Sequence, residues 1–174
     1  MNSQRSNSGK LALLAFCAAA ATVAQSAAAT STLPTYPGAT KVPTHSTTGF
    51  SMCGHKVGLV SYDTATDGKS VAKWYESKVP NAVVLDTSQT DSSSADTEIQ
   101  VYRPDGSEVA VIHQISMTSP KLQSAAKTIG ADKTGIGLET FDPPLGADFV
   151  ALMMRVKRGD GAAKSALAAK CPKD

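Results

Sequence analysis

Hydrophobic and polar residues alternate along this chain with two different periods, and the switches between them outline its elements. Val57, Leu59, Val60 and Tyr62 lie between Lys56 and Thr64 and run into polar turn residues, which predicts a strand. Val71, Trp74, Tyr75 and Val79 then recur at helical spacing. Asp67 is placed to cap that helix and Pro80 to stop it, with Trp74 as its core anchor. Ala82 to Asp86 reads as a short strand, and Thr87 to Thr97, almost entirely Ser, Thr, Asp and Gln, as a solvated loop. Ile99, Val101 and Arg103 alternate with polar neighbours, Pro104-Asp105-Gly106 turns the chain, and Val109, Val111 and Ile115 alternate on the return, the signature of a hairpin. Ser119-Pro120 opens a second helix whose apolar face is Leu122, Ala125, Ala126 and Ile129, closed by Gly130. Ala131 to Ala147, with Gly135, Gly137, Pro143, Pro144 and Gly146, reads as irregular. Asp148 to Arg158 fits both periods, and its Ala, Leu, Met, Arg and Lys content favours a helix. An Ala-rich helix follows over Ala162 to Lys170.

This order predicts an α+β fold: an antiparallel sheet of about four strands with helices packed on one face, in a single two-layer domain over 53–174. Residues 30–52, rich in Thr, Ser, Pro and Gly, read as an extended lead-in. Before them, a basic start with Arg5 and Lys10, an uncharged apolar run from Leu11 to Val23 and the small residues Ala27-Ala28-Ala29 make residues 1–29 a signal peptide. The apolar run falls short of the roughly 20 residues that a membrane span requires, so no stable span is expected after cleavage. Cys17 lies inside that run behind the bulky Phe16, which argues against a lipid-anchoring cysteine. The expected location is periplasmic or secreted.

Processing changes the charge and the cysteines. The net charge of +2 belongs to the leader, and without Arg5 and Lys10 basic and acidic side chains balance at 15 each. A neutral domain is not expected to grip nucleic acid, which calls for surplus Lys and Arg. Acidic residues dominate the middle of the chain (Asp86, Asp91, Asp96, Glu98, Asp105, Glu108) and basic ones its end (Arg155, Lys157, Arg158, Lys164, Lys170, Lys173), which predicts two solvated faces that attract one another. Cys53 and Cys171 remain after export. Two thiols in an oxidising compartment predict a disulfide between them.

The stretch Leu33-Pro34-Thr35-Tyr36-Pro37-Gly38-Ala39, the strand ending Tyr62-Asp63-Thr64 and the helix containing Val71 and Trp74-Tyr75 resemble small exported bacterial α+β domains with no assigned activity. The resemblance covers about residues 33–116 and transfers no catalytic residue.

The motifs that carry chemistry elsewhere are incomplete here. Met52-Cys53-Gly54-His55 has ligands suited to cuprous copper, with His45, His113, Met117, Met153 and Met154 as further candidates, but a disulfide would consume Cys53. Gly49-Phe50-Ser51-Met52-Cys53-Gly54 misses the nucleophile-elbow spacing by one residue. Gly135-Ile136-Gly137 lacks the third glycine of a dinucleotide site. No catalytic residue, cofactor or metal site is therefore expected. The sequence reads as a non-enzymatic binding or accessory domain of the envelope, whose partner is another envelope protein or a small molecule. Two alternatives stay open. One is a small-ligand carrier with an apolar pocket near Trp74, Tyr75 and His113; the other is a hydrolase centred on His113 or His55.

Overall fold

A computed structural model describes residues 31–45, 47–92 and 94–171, with no side-chain detail at 47–49. The expected signal peptide lies outside the described residues. The strands are β1 (Thr40–Lys41), β2 (Thr47–Met52), β3 (His55–Thr64), β4 (Val83–Asp86), β5 (Gln89–Thr90), β6 (Ser94–Tyr102), β7 (Glu108–Met117) and β8 (Thr134–Asp142). The helices are α1 (Gly68–Lys78), α2 (Pro120–Thr128), α3 (Ala147–Lys157) and α4 (Gly161–Lys170). All strands join one antiparallel sheet in the order β1-β3-β8-β7-β6-β4, with β2 also pairing on β3 and β5 on β6.

The fold is α+β, but the expected sheet of about four strands is corrected to eight. The largest single difference is β8, which lies between β3 and β7 in a stretch read as irregular. Its sequence does alternate: Thr134, Ile136, Leu138 and Thr140 are buried, and Gly135, Gly137 and Glu139 face the other way. Two glycines on that second face hid a period-2 pattern. The polar run Thr87 to Thr97 likewise holds β5 and the start of β6, because strand pairing satisfies its backbone whatever its side chains. The lead-in contributes β1 and β2 to the sheet.

Helices on one face only is the second correction. Alternation along each strand builds two cores. Ile99, Val101, Ala110, Ile112, Ile136 and Leu138 meet Val71, Ala72, Tyr75 and Val79 of α1 on the first face. On the second face Val57, Tyr102, Val109 and Phe141 meet Phe149 and Val150 of α3. Helix α1 starts as expected, with Asp67 accepting from the Ser70 amide at 2.9 Å. Its buried anchor is Tyr75, at 0% exposure, while Trp74 is half-buried and edge-on to both Tyr36 and Tyr75. The apolar face expected of α2 is mostly open: Ala126 is buried, but Leu122 is 47% and Ile129 79% exposed.

Two turns fix how the ends of the sheet close. Cys53 (φ 52°) and Gly54 (φ 81°) form the left-handed pair of a two-residue hairpin between β2 and β3. This turn presents Cys53 to Cys171 beyond α4, and the sulfurs stand at disulfide distance, 2.01 Å apart, with the Cα atoms 4.2 Å apart. Gly106, in the β6–β7 turn, has φ 68° and receives the loop before α3, its carbonyl accepting from the Leu145 amide at 3.0 Å. A Cβ there would stand 2.8 Å from Leu145 Cβ and 2.9 Å from the Gly146 nitrogen. Gly106→Ala is expected to cost more than about 1 kcal/mol in chemical unfolding, since both backbone conformation and space exclude a side chain.

Candidate functional site

The second face of the sheet is covered at one end only. Along β7 exposure rises from Val109, at 1%, through Val111 to the exposed His113 and Ile115. Strand register places three rows on this face. Asp63, Gly135, His113 and Glu98 form the first, with the Asp96–Ile115 pair beyond it; Ser61, Gly137, Val111, Gln100 and Leu85 the next; Leu59, Glu139, Val109, Tyr102 and Val83 the third, on the side toward α3. Gly135 and Gly137 sit side by side down the middle of β8, so the floor between Asp63 and His113 is bare backbone. A Cβ built on Gly135 would meet nothing closer than the His113 carbonyl, at 3.7 Å. At Gly137 it would meet Leu59 Cδ1 at 3.1 Å, so Leu59 leans over that part of the floor.

Polar groups converge around this strip. Tyr102 donates its hydroxyl to Gln100 Oε1 at 2.6 Å, and Gln100 Nε2 donates to Glu98 Oε1 at 3.2 Å. Burial, with the nearby charges of Glu139 and Glu98, pushes the Tyr102 hydroxyl well above its ordinary range, so it stays protonated and keeps donating. His113 Nε2 lies 3.1 Å from Asp96 Oδ1. That oxygen is shielded from solvent and has no well-aligned hydrogen bond, so the pair is an electrostatic contact. Glu139 is mostly shielded, and burial raises its carboxyl above the usual range. It makes no hydrogen bond or ion pair among the described residues. Of the basic residues in the C-terminal helices, Arg155 pairs with Asp160 at 2.7 Å, and Lys157 exerts a minor influence on Asp86 of edge strand β4.

Cys53 and Cys171 meet, as do Trp74 and Tyr75, but the histidines singled out from sequence do not join either pair or one another. Tyr75 belongs to the first core together with Ile112, and Trp74 packs beside it. His113 follows Ile112 in β7 and faces the opposite way, so the sheet separates it from both aromatics. His55 lies near the other end of β3, with Nδ1 2.6 Å from the Pro143 carbonyl and its ring edge-on to Phe149. About eight residues of strand, roughly 25 Å, divide it from the His113 row. Cys53 is engaged with Cys171, which leaves Met52 and His55 without the thiolate of a copper site. Among the described residues no group of three His, Cys, Asp or Glu side chains is arranged to hold a metal ion. A shallow hollow of about 380 Å³ lies beside α2, lined by Ile115, Met117, Gln123, Lys127 and Asp132 among others, and neither Trp74 nor Tyr75 reaches it.

Glu139, Glu98 and Gln100 were not expected from sequence. The available signal was the alternation of Gly135, Gly137 and Glu139 with Ile136 and Leu138, which places a carboxylate on one sheet face beside two absent side chains. No helix among the described residues is long and apolar enough to cross a membrane. No protein-family profile, curated protein or solved structure matches this chain, so its own geometry carries the functional reading.

Proposed function

We propose that this chain is a non-enzymatic binding domain of the bacterial envelope, periplasmic or secreted, that captures a cationic N–H donor on the open strip of its sheet. The carrying observation is Glu139: a shielded carboxylate with no hydrogen bond or ion pair among the described residues, next to the glycine floor and in one row with Tyr102 of the Glu98–Gln100–Tyr102 chain. A shielded carboxylate costs stability unless a donor satisfies it, and an ammonium or guanidinium group supplies both charge and hydrogen bonds. Asp63, Asp96 and Glu98 along the strip add attraction of the same sign. The cysteine pair and the lack of a long apolar helix among the described residues support the exported location. The hydrolase alternative draws on the His113–Asp96 contact, but no hydroxyl or thiol among the described residues hydrogen-bonds to His113, and the binding reading is preferred.

The test uses arginine methyl ester and spermidine as probes, titrated into the isotopically labelled domain. Amide shift changes should concentrate at 135–139 and 96–102 and disappear in Glu139→Gln. No localised shift with either probe, or unchanged shifts in the variant, would sink the proposal. The same substitution should raise stability at neutral pH by on the order of 1 kcal/mol, because it removes a charge held in a poorly solvated place. The sign follows from the raised carboxyl: the folded state disfavours the charged form, so the gain vanishes below the ordinary glutamate value, grows above it and is full only above the raised folded value.

A further inference from the structure

The lead-in residues 31–39 are fastened across the first face of the sheet by a clamp that the binding strip does not use. Glu108, 5% exposed, accepts from the Thr32 amide and from the Thr32 hydroxyl, the latter at 2.7 Å. Arg103 Nε donates to the same carboxylate at 2.5 Å, and its Nη2 donates to Thr32 Oγ1 at 3.0 Å. One carboxylate thus ties the start of the described chain to the β6–β7 turn, across 76 residues of sequence. Next to it, Leu33 is 4% exposed and sits in the core beneath α1 with Val71 and Tyr75. Tyr36 then stacks edge-on to Trp74 with ring centroids 5.2 Å apart. Beyond these two anchors the segment is open to solvent: Pro34, Thr35, Pro37 and Gly38 are all exposed. Its backbone joins the sheet only at β1, which has two residues.

We propose that residues 31–39 are an acid-releasable strap. Protonation of Glu108 frees Thr32, withdraws Leu33 from its slot under α1 and parts Tyr36 from Trp74, while the sheet and the Cys53–Cys171 link persist.

The groups facing Glu108 set the direction. Among the described residues the cation paired with it is Arg103, from the turn. Asp105, in the same turn, is held by the Ser107 amide at 3.0 Å and the Ser107 hydroxyl at 2.8 Å. The strap contributes the neutral Ser31 and Thr32, and β8 contributes the neutral Thr140 opposite. Burial alone would push the Glu108 carboxyl up, but the donors from Thr32, Arg103 and Ser31 outweigh it and hold it below 4.5, the ordinary value. A carboxyl held low stabilises the strap above the ordinary range and loses that contribution as pH falls through the folded value, so release belongs below pH 4.5. A protonated Glu108 still accepts one bond but no longer offers Arg103 a charge, and both sides of the clamp weaken together.

Amide hydrogen exchange on the disulfide-intact protein tests this, with rates expressed as protection relative to an unfolded chain at each pH. Protection at Thr32 and Leu33 should fall between pH 7 and pH 3.5, by up to about tenfold, while Val109 and Ile136 keep theirs. Fluorescence of Trp74, the sole tryptophan, should change over the same range. Glu108→Gln should show the released strap already at pH 7 and lose the pH dependence. Arg103→Gln should move release to higher pH, since it removes the cation that holds the carboxylate low. Strap and sheet losing protection together, or strap protection unchanged at pH 3.5, would overturn the proposal. Wild-type protection and pH dependence in Glu108→Gln would overturn it as well. If that variant does not fold, the wild-type titration and Arg103→Gln decide alone.

Discussion

Removing the Cys53–Cys171 link, by the double Cys→Ser substitution, is expected to lower stability by about 2–5 kcal/mol and the melting midpoint by roughly 10 °C. The two residues are 118 positions apart, so the link restrains nearly the whole described chain when it unfolds. On the chain-entropy model a loop of that length is worth at most about 5 kcal/mol. The folded side has its own reason to depend on it. Helix α4 buries only Ala163, with Leu167 partly buried against the second core, and Asp160 caps its start through the Ala163 amide at 2.9 Å. Cys171 is what fastens its far end, against the β2–β3 turn. The variant should therefore lose protection first in α4 and only later in the sheet. In the processed chain, unfolded without reductant, a thiol label should mark neither cysteine. Two labelled thiols would reopen the thiolate chemistry at Met52-Cys53-Gly54-His55.

The second large effect is expected at Tyr75. Its ring is fully buried at the centre of the first core, so Tyr75→Ala should cost about 3–5 kcal/mol. The hydroxyl behaves differently from the ring. It is buried with no well-aligned hydrogen bond among the described residues, only the Tyr36 backbone lying close enough to act on it, and burial drives it far above the ordinary tyrosine range. Tyr75→Phe should therefore fall within about 1 kcal/mol of the wild type, in either direction, because it removes a group that the fold desolvates without satisfying. Trp74→Ala should cost less than Tyr75→Ala, because the indole is only partly buried and keeps one side toward Lys78, whose Nζ is 5.6 Å from the ring centre. Denaturant unfolding of the three variants measures these differences. A Trp74→Ala cost equal to that of Tyr75→Ala would restore Trp74 as the anchor of α1.

Local chemistry decided what could be read from the sequence alone. Asp67 before an apolar stripe and Pro80 after it leave one structure for residues 68–78, because the cap and the stop act through neighbouring backbone groups. The hairpin of β6 and β7 was legible around its turn for the same reason, and only its outer ends went unseen. The order of strand, helix, strand, hairpin and helices was enough to expect an α+β domain, and Cys53 and Cys171 to expect one long-range link. Which residue of the Trp74-Tyr75 pair lies in the core was not legible. At helical spacing the two are adjacent, and the choice depends on where Leu33 and Tyr36 arrive from the lead-in.

Sheet width and the second face were decided by tertiary structure. Gly135, Gly137 and the Asp residues of the polar run have low strand propensity, yet they form parts of β8 and β6 because their neighbours need backbone partners and β8 is flanked on both sides. Register then places Glu139 in one row with Val109 and Tyr102, on the face that also carries Gln100 and Glu98, residues about 40 positions away that no local pattern connects. The same register puts His113 on the opposite side of the sheet from Trp74 and Tyr75, although all three look like members of one aromatic pocket in the sequence. Periodicity tells which residues share a face of one element. Only the packing of elements tells which faces meet, and the candidate site exists at that level.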